Sequence, residues 1–274
     1  MIIGGRDFAT DKKTYVMGIL NVTPDSFSDG GRYDSLERSM RHAQEMVDAG
    51  VDIIDVGGES TRPGYVKISD EEEISRVAPV IEKLKRSFDV PVSIDTYKSG
   101  VAEAAAQAGA DLINDIWGLK YDEKMAAVIA KRELACCLMH NRDHIDYQDF
   151  MKEMMSDLQE SIEIAKHAGI ADDKIILDPG VGFAKTYEMN LEVIQKLADF
   201  RKLSYPVLLG TSRKSVIGLT LDVPADQREE GTQVTTTMAV MSGCAFVRVH
   251  DVPGNKRAIQ MAEAIIREHD LTIK

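Results

Sequence analysis

Eight times along the chain a short apolar run finishes in polar, chemically usable residues, and a stretch of helical periodicity separates each run from the next. The runs are YVMGILN (15–21), VDIIDVGGES (51–60), VSID (92–95), LINDIWG (112–118), LACCLMHN (134–141), IILDPGVGF (175–183), VLLGTSRKS (207–215) and FVRVHDV (246–252). Near-continuous apolar runs suit strands buried on both faces, as in a parallel sheet covered by helices. The segments between them, among them 35–50, 71–88, 98–109 and 189–203, place apolar residues every three or four positions and predict amphipathic helices. Strand and helix alternating in this way predict an α/β fold, a (β/α)8 or TIM barrel of about 250 residues, here with a short N-terminal extension.

No Pro/Ser/Gly-rich linker, composition shift or short repeat divides the 274 residues, so a single barrel domain over 1–274 is expected. Neither a signal-like start nor an apolar stretch near the roughly 20 residues of a membrane span is present, which predicts a cytoplasmic protein. Cys136 and Cys137, adjacent inside an expected strand, and Cys244 have neither disulfide-framework nor zinc spacing and are read as buried reduced thiols.

The net charge of −12 argues against nucleic acid or an anionic membrane as partner, since both need a basic face. Local placement says more. Arg62, Lys98, Lys185, Arg213, Lys214, Arg248 and His250 lie at or just beyond strand ends. Strand ends of a barrel converge on the mouth that carries the active site, so a locally cationic mouth for an anionic, phosphate-bearing substrate is expected. Two polar, glycine-containing loops also begin there, GILNVTPDSFSDGGRY (18–33) and DVGGESTRPG (55–64). Long polar loops on that face are more often ligand clamps than plain connectors.

NVTPDSFSDGG, GGESTRPG, SIDTYK, IND, the LDPG–GF segment, SRKS and RVHDV occur in the order and spacing of the dihydropteroate synthases, and the chain resembles that family from about Tyr15 to its last helix. The resemblance implies transfer of 6-hydroxymethyl-7,8-dihydropterin from its pyrophosphate ester to the amine of p-aminobenzoate in folate biosynthesis. It also implies susceptibility to sulfonamides, which mimic that amine, and a homodimer, with helices over 233–242 and 253–268 as the interface considered.

The residues can be read against that chemistry. A reduced pterin presents a guanidine-like donor edge, which a carboxylate accepts with two parallel hydrogen bonds. Asp95, Asp115 and Asp178 are strand-end acids and Asn114 offers both donor and acceptor. The resemblance places Asp178, Asp95 and Asn114 on the pterin and leaves Asp115 as a cap or turn former. It makes Met139 and Phe183 apolar walls and Lys214 a donor to the pterin. It puts Phe27, Thr61, Pro63, Lys214 and Ser215 around p-aminobenzoate, and Arg213 behind Lys214. Arg248 can fork onto phosphate oxygens and His250, in the same alternating register, can add a donor. Asn21 can offer its side-chain oxygen to a metal or its amide to a phosphate, and the resemblance associates it with Mg2+, a hard ion that bridges diphosphates while keeping most of its waters. His42, His140, His144, His167 and His269 are read as ordinary surface or packed histidines.

Loss of pyrophosphate leaves a methylene cation that the dihydropterin delocalises, and an aniline-type amine is already neutral at pH 7. No strong general base is required, so electrostatic stabilisation and positioning by Asn21, Lys214, Arg248 and His250 should carry catalysis. Two details depart from the family pattern: Ala184 stands where glycine is expected, and the fourth strand ends NDIWG. Neither is expected to touch the residues assigned to chemistry. The competing readings are a methyltetrahydrofolate:corrinoid methyltransferase, a Schiff-base aldolase built on Lys214, and a non-catalytic pterin-binding barrel.

Overall fold

A computed structural model describes residues 1–22, 32–59 and 67–268. A short antiparallel pair, β1 (Ile2–Ile3) and β2 (Arg6–Asp7), opens the chain. The eight apolar runs then form β3 (Tyr15–Asn21), β4 (Ile53–Gly57), β5 (Val92–Asp95), β6 (Leu112–Asp115), β7 (Ala135–Met139), β8 (Ile175–Asp178), β9 (Leu208–Leu209) and β10 (Phe246–Val249). All pair in parallel in the order β8-β7-β6-β5-β4-β3-β10-β9. A bridge between Leu177 and Val207 joins the two ends, with the Leu177 N–H on the Pro206 carbonyl at 2.9 Å. The expected barrel is therefore present. Most strands stop earlier than the apolar runs suggest, because their polar last residues already belong to the loops of the mouth.

Helices α1 (Arg32–Asp48), α2 (Asp70–Ser87), α3 (Ser99–Ala108), α4 (Met125–Lys131), α5 (Phe150–His167), α6 (Tyr187–Gln195), α7 (Ser215–Leu221), α8 (Glu229–Met241) and α9 (Val252–Glu268) connect the strands and follow the last one. Their boundaries have local causes. Ser69 caps α2 by accepting the Glu72 N–H at 3.2 Å, with acids in the first turn and Lys85 and Arg86 in the last. Among the described residues no helix is long and apolar enough to cross a membrane.

Alternation along each strand divides the core into two shells. Val16, Ile54, Val56, Ile94, Ile113, Leu138, Leu177 and Val247 face the helices and pack with Val77, Ile81, Leu158 and Ile259. Met17, Ile53, Leu112, Cys137, Ile176, Leu208 and Phe246 face inward and fill the lower half of the barrel. The N-terminal extension closes that end, since Ile3 and Phe8 join the inner shell. The Phe8 ring lies 4.9 Å edge-on from Tyr15 and 5.7 Å from Phe246. Further along the same strands the inward positions become Asp55, Ser93, Asp95, Asn114, Asp178 and Arg248. The floor of the mouth is thus polar because the apolar shell beneath it is complete.

Candidate active site

Arg248 of β10 organises the floor. Its Nε donates to Asp55 Oδ2 and its Nη2 to Asp95 Oδ2, both at 2.6 Å. Asn114 Nδ2 donates to the same Asp55 oxygen at 3.1 Å. Asp55 Oδ1, Ser93 Oγ and Asp95 Oδ1 are buried without a hydrogen-bond partner in the protein, a condition that native interiors seldom tolerate unless a ligand or water completes it. Burial pushes Asp95 up to about 7, with the Asp55 charge adding to the shift and Arg248 opposing it. Burial works against the Arg248 charge as well, but Asp55 and Asp95 more than restore it.

Asp178 closes β8. One of its oxygens accepts the Gly180 N–H at 2.7 Å. Gly210, just past β9, shows what surrounds the other. A Cβ added there would lie 3.6 Å from Asp178 Oδ2, 3.8 Å from Lys214 Nζ and 3.9 Å from the Arg248 Cβ. An acid, an amine and the stem of an arginine therefore converge on the bare glycine. Lys214 Nζ donates to the Val181 carbonyl at 2.6 Å and stands 4.8 Å from the Phe183 ring centre. Burial brings its amine down to about 8, against the pull of Asp178 and Asp95. Asp178 is raised by burial, and Lys214 limits the rise.

Lys214 is presented by a bent backbone. Arg213 takes a left-handed φ of +57°, uncommon for a residue with a Cβ. Its N–H donates to Thr232 Oγ1 at 3.2 Å and its carbonyl accepts from Arg228 Nη1 at 3.0 Å, which holds the turn from both sides. Lys214 then caps α7, leaving Ser215 exposed as the first helical residue. Met139 and Phe183 pack with Tyr97, Ile116 and Trp117 into one apolar cluster.

At the rim, the Ser212 hydroxyl lies 2.9 Å from His250 Nδ1 and accepts the His250 backbone N–H at 3.1 Å. With the backbone N–H as donor, the hydroxyl proton is available to Nδ1, and a neutral ring then carries its proton on Nε2. Asn21, exposed at the end of β3, is close enough to Gly57 that a Cβ there would sit 3.4 Å from its Oδ1. Among the described residues no group of three His, Cys, Asp or Glu side chains could hold a metal by itself.

Asp95, Asn114, Asp178, Lys214 and Arg248 thus converge on one floor, with Met139 and Phe183 in the adjoining apolar cluster and His250 and Asn21 at strand ends above. Phe27, Thr61 and Pro63 lie outside the described residues, as does Arg62. The cationic mouth is narrower than strand-end counting predicts. Lys98 is buried and donates to Glu59 Oε2 at 2.6 Å and Glu73 Oε2 at 2.7 Å. Lys185 is buried as well, and Arg213 pairs with Glu229 at 3.4 Å. A position after a strand does not decide whether a long side chain turns to the mouth or beneath it. Asp115 is the turn former expected, accepting the Trp117 and Leu119 N–H groups at 2.9 and 2.7 Å.

Both departures from the family pattern reach closer to the site than expected. Trp117 packs in the cluster that contains Met139 and Phe183, and Ala184 adopts φ +45° in the turn that carries Phe183. Asp55, Gly210 and Ser212 escaped the reading of the sequence. Asp55 had a signal, since an acid at an inward position of an apolar strand calls for a buried cation. Ser212 stood in the SRKS motif without a role being read for it, and Gly210 had no signal.

A barrel that brings a buried carboxylate and amide pocket to a cationic edge has the makings of a pterin site. The family model described as pterin binding enzyme matches residues 17–250. The chain is 58% identical over 268 residues to the dihydropteroate synthase of Clostridium beijerinckii, covering 97% of this chain and 100% of that protein. With the Bacillus subtilis dihydropteroate synthase it shares 55% identity over 257 residues, 94% of this chain and 90% of that one. A crystal structure of the Clostridium difficile dihydropteroate synthase in the presence of pteroic acid superposes with a TM-score of 0.93 at 51% identity, covering 96% of this chain and 99% of the other. The Yersinia pestis dihydropteroate synthase in a sulfonamide drug complex gives 0.91 at 41% identity, with 97% and 98% covered. The chain belongs to the dihydropteroate synthase family of pterin-binding transferases.

Proposed function

We propose that the family's reaction, condensation of 6-hydroxymethyl-7,8-dihydropterin pyrophosphate with p-aminobenzoate to give 7,8-dihydropteroate and pyrophosphate, is carried out on the floor around Gly210. The observation that carries this reading is the convergence of Asp178, Lys214 and the Arg248 stem on Gly210, with the unpartnered Asp95 oxygen alongside. Asp178 accepts the donor edge of the pterin, Asp95 Oδ1 and Asn114 engage neighbouring ring nitrogens, and Lys214 donates to the carbonyl. Met139 and Phe183 bound the ring. Arg248 keeps Nη1 for the diphosphate while Asp55 and Asp95 hold the rest of its guanidinium, and His250 Nε2 supplies a further donor.

Asn21 would hold Mg2+ through a single side-chain carbonyl oxygen, a donor set that fits an ion whose remaining ligands are diphosphate oxygens and water. When bound there the ion neutralises charge on the leaving group. The protein's own work is to fix the pterin methylene, shelter the forming cation in the pocket and stabilise the departing oxyanion with Arg248 and His250. The amine attacks without a general base. Phe27, Thr61, Pro63, Lys214 and Ser215 form its site.

Homodimerisation through the last two helices is part of this reading, supported by Val234, Met241, Met261 and Ile265, which remain exposed on α8 and α9. A cytoplasmic location is supported by three buried, free cysteines. The anion assignment is tested by Arg248→Ala. Turnover should fall by at least about a hundredfold, the scale of removing a donor from a developing anion. Unchanged turnover and unchanged inhibition by pyrophosphate would remove Arg248 from the diphosphate site.

A further inference from the structure

A second set of charged groups lies beneath the mouth and belongs to none of the substrate contacts above. Lys185 follows the turn 180–184 and turns under it. Its Nζ is 2.9 Å from each of three acceptors: the Gly180 carbonyl, the Phe183 carbonyl and His140 Nδ1. An ammonium has three N–H donors and no lone pair, so this geometry uses all of them and requires His140 Nδ1 to accept. The imidazole proton is then on Nε2, which donates to Asp157 Oδ2 at 3.0 Å. Arg142 completes the line from the far side, with Nε on Asp157 Oδ2 at 2.6 Å and Nη2 on Oδ1 at 3.2 Å. Each link fixes the proton of the next.

The turn that Lys185 grips is not one the backbone adopts readily. Gly180, Gly182 and Ala184 have φ of +68°, +88° and +45°. Gly180 runs so close to the end of β7 that a Cβ there would lie 2.0 Å from the His140 carbonyl. Ala184, at a left-handed angle that costs a residue with a Cβ of order 1 kcal/mol, is held by its carbonyl accepting the Tyr147 hydroxyl at 3.1 Å. The same turn carries Phe183 and the Val181 carbonyl that receives Lys214. Two bonds from Lys185 thus pull the turn down onto His140, and the turn's upper surface holds two groups of the pterin pocket.

We propose that Lys185 is a positioning residue for the pterin site: its ammonium pins the 180–184 turn to His140, and the turn fixes Phe183 and, through the Val181 carbonyl, the Lys214 amine. The proposal rests on the assignment of the Asp178 pocket to the pterin.

The pin is also a titrating one. Burial lowers Lys185 to about 7, with Asp178 and Asp157 opposing the fall and Lys214 and Arg142 assisting it. Burial first, and the Lys185 charge with it, takes His140 down to about 4 against the pull of Asp157, so the imidazole stays a neutral acceptor. When Lys185 loses its proton it keeps only two donors for three acceptors, and the grip loosens.

Lys185→Met removes all three bonds while keeping an unbranched chain in the space. Equilibrium binding of 6-hydroxymethylpterin is compared with the KM for p-aminobenzoate at saturating pterin substrate, in wild type and variant. The variant should bind the pterin roughly tenfold more weakly, the equivalent of one to two net hydrogen bonds, with a smaller rise in the p-aminobenzoate KM, since that site shares only Lys214 with the pinned turn. The ratio of wild-type to variant affinity should shrink as pH rises from about 6 to about 8.5; taking the ratio removes titration of Asp95 and the ligand. Asp157→Asn should weaken pterin binding in the same direction by less, and it decides the matter where Lys185→Met does not fold.

Failure of wild type to bind the pterin would sink the pocket assignment. Wild-type binding with unaltered, pH-independent ratios in the folded variants would overturn the role of Lys185 alone. Equal losses in pterin affinity and in the p-aminobenzoate KM would also overturn it, showing general loosening of the mouth.

Discussion

Lys98 and Lys185 follow different strands of the same barrel, and both are buried beneath its mouth, yet their surroundings differ in kind. Lys98 lies between Glu59 and Glu73, with the Ile68 carbonyl as a third acceptor at 2.9 Å. Lys185 has three acceptors too, but all are formally neutral. Burial works against both charges. For Lys98 the two glutamates more than compensate, and its pKa rises above the ordinary 10.5. For Lys185 nothing of that strength is in contact, and it falls to about 7. Counting hydrogen bonds would make the two sites equivalent; formal charge on the partners separates them. The first is a permanent strut that also joins Glu59 to Ile68, whereas the second can release.

The largest test of that contrast is Lys98→Met. It strands Glu59 and Glu73 together in the interior, where the loss of a counterion costs about 3–5 kcal/mol. Urea denaturation should show it as a lower midpoint with an unchanged slope. Lys185→Met should cost about 1–3 kcal/mol by the same measurement, since it leaves unpaired carbonyls and an imidazole nitrogen but no unpaired charge. Equal losses in the two variants would erase the distinction.

A smaller effect has opposite signs at the two sites. A lysine whose folded pKa is raised contributes its stability in full below 10.5 and loses it as pH climbs through the folded value, so once Glu59 and Glu73 are ionised in both proteins the difference between wild type and Lys98→Met should stay level up to about pH 10. Lys185 behaves inversely. Between about 7 and 10.5 the unfolded chain binds more protons there than the folded one, so the difference between wild type and Lys185→Met should grow in favour of wild type as pH rises. Unfolding free energies of the three proteins at several pH values check both signs.

The barrel was legible because its signal repeats. Each strand is a run too apolar for anything but two-sided burial, and β3 matches its expected range Tyr15–Asn21 residue for residue. The acids and amides of the floor were legible as well, since Asp95, Asn114 and Asp178 end strands whose inward register follows from alternation. What stayed hidden depends on contacts between distant strands. Nothing in VDIIDVGG says that Asp55 will meet Arg248 across 193 positions, nor that Asp178, Lys214 and the Arg248 stem will converge on Gly210. Lys98 and Lys185 read as mouth cations because position after a strand is visible in sequence, while the direction of a four-carbon side chain is settled by which acceptors packing places below it. Ala184 shows the same limit, as its left-handed φ is sustained by Tyr147, 37 positions away.

The central claim is that the floor built by Asp178, Lys214 and Arg248 condenses a dihydropterin pyrophosphate with p-aminobenzoate. It is tested most directly by incubating the purified protein with both substrates and Mg2+, measuring dihydropteroate and pyrophosphate together, and repeating with Asp178→Asn. The account predicts equimolar products that depend on the amine, with turnover lost in the variant while its fold is kept. Absence of amine-dependent dihydropteroate from the wild type, or full activity in Asp178→Asn, would contradict it.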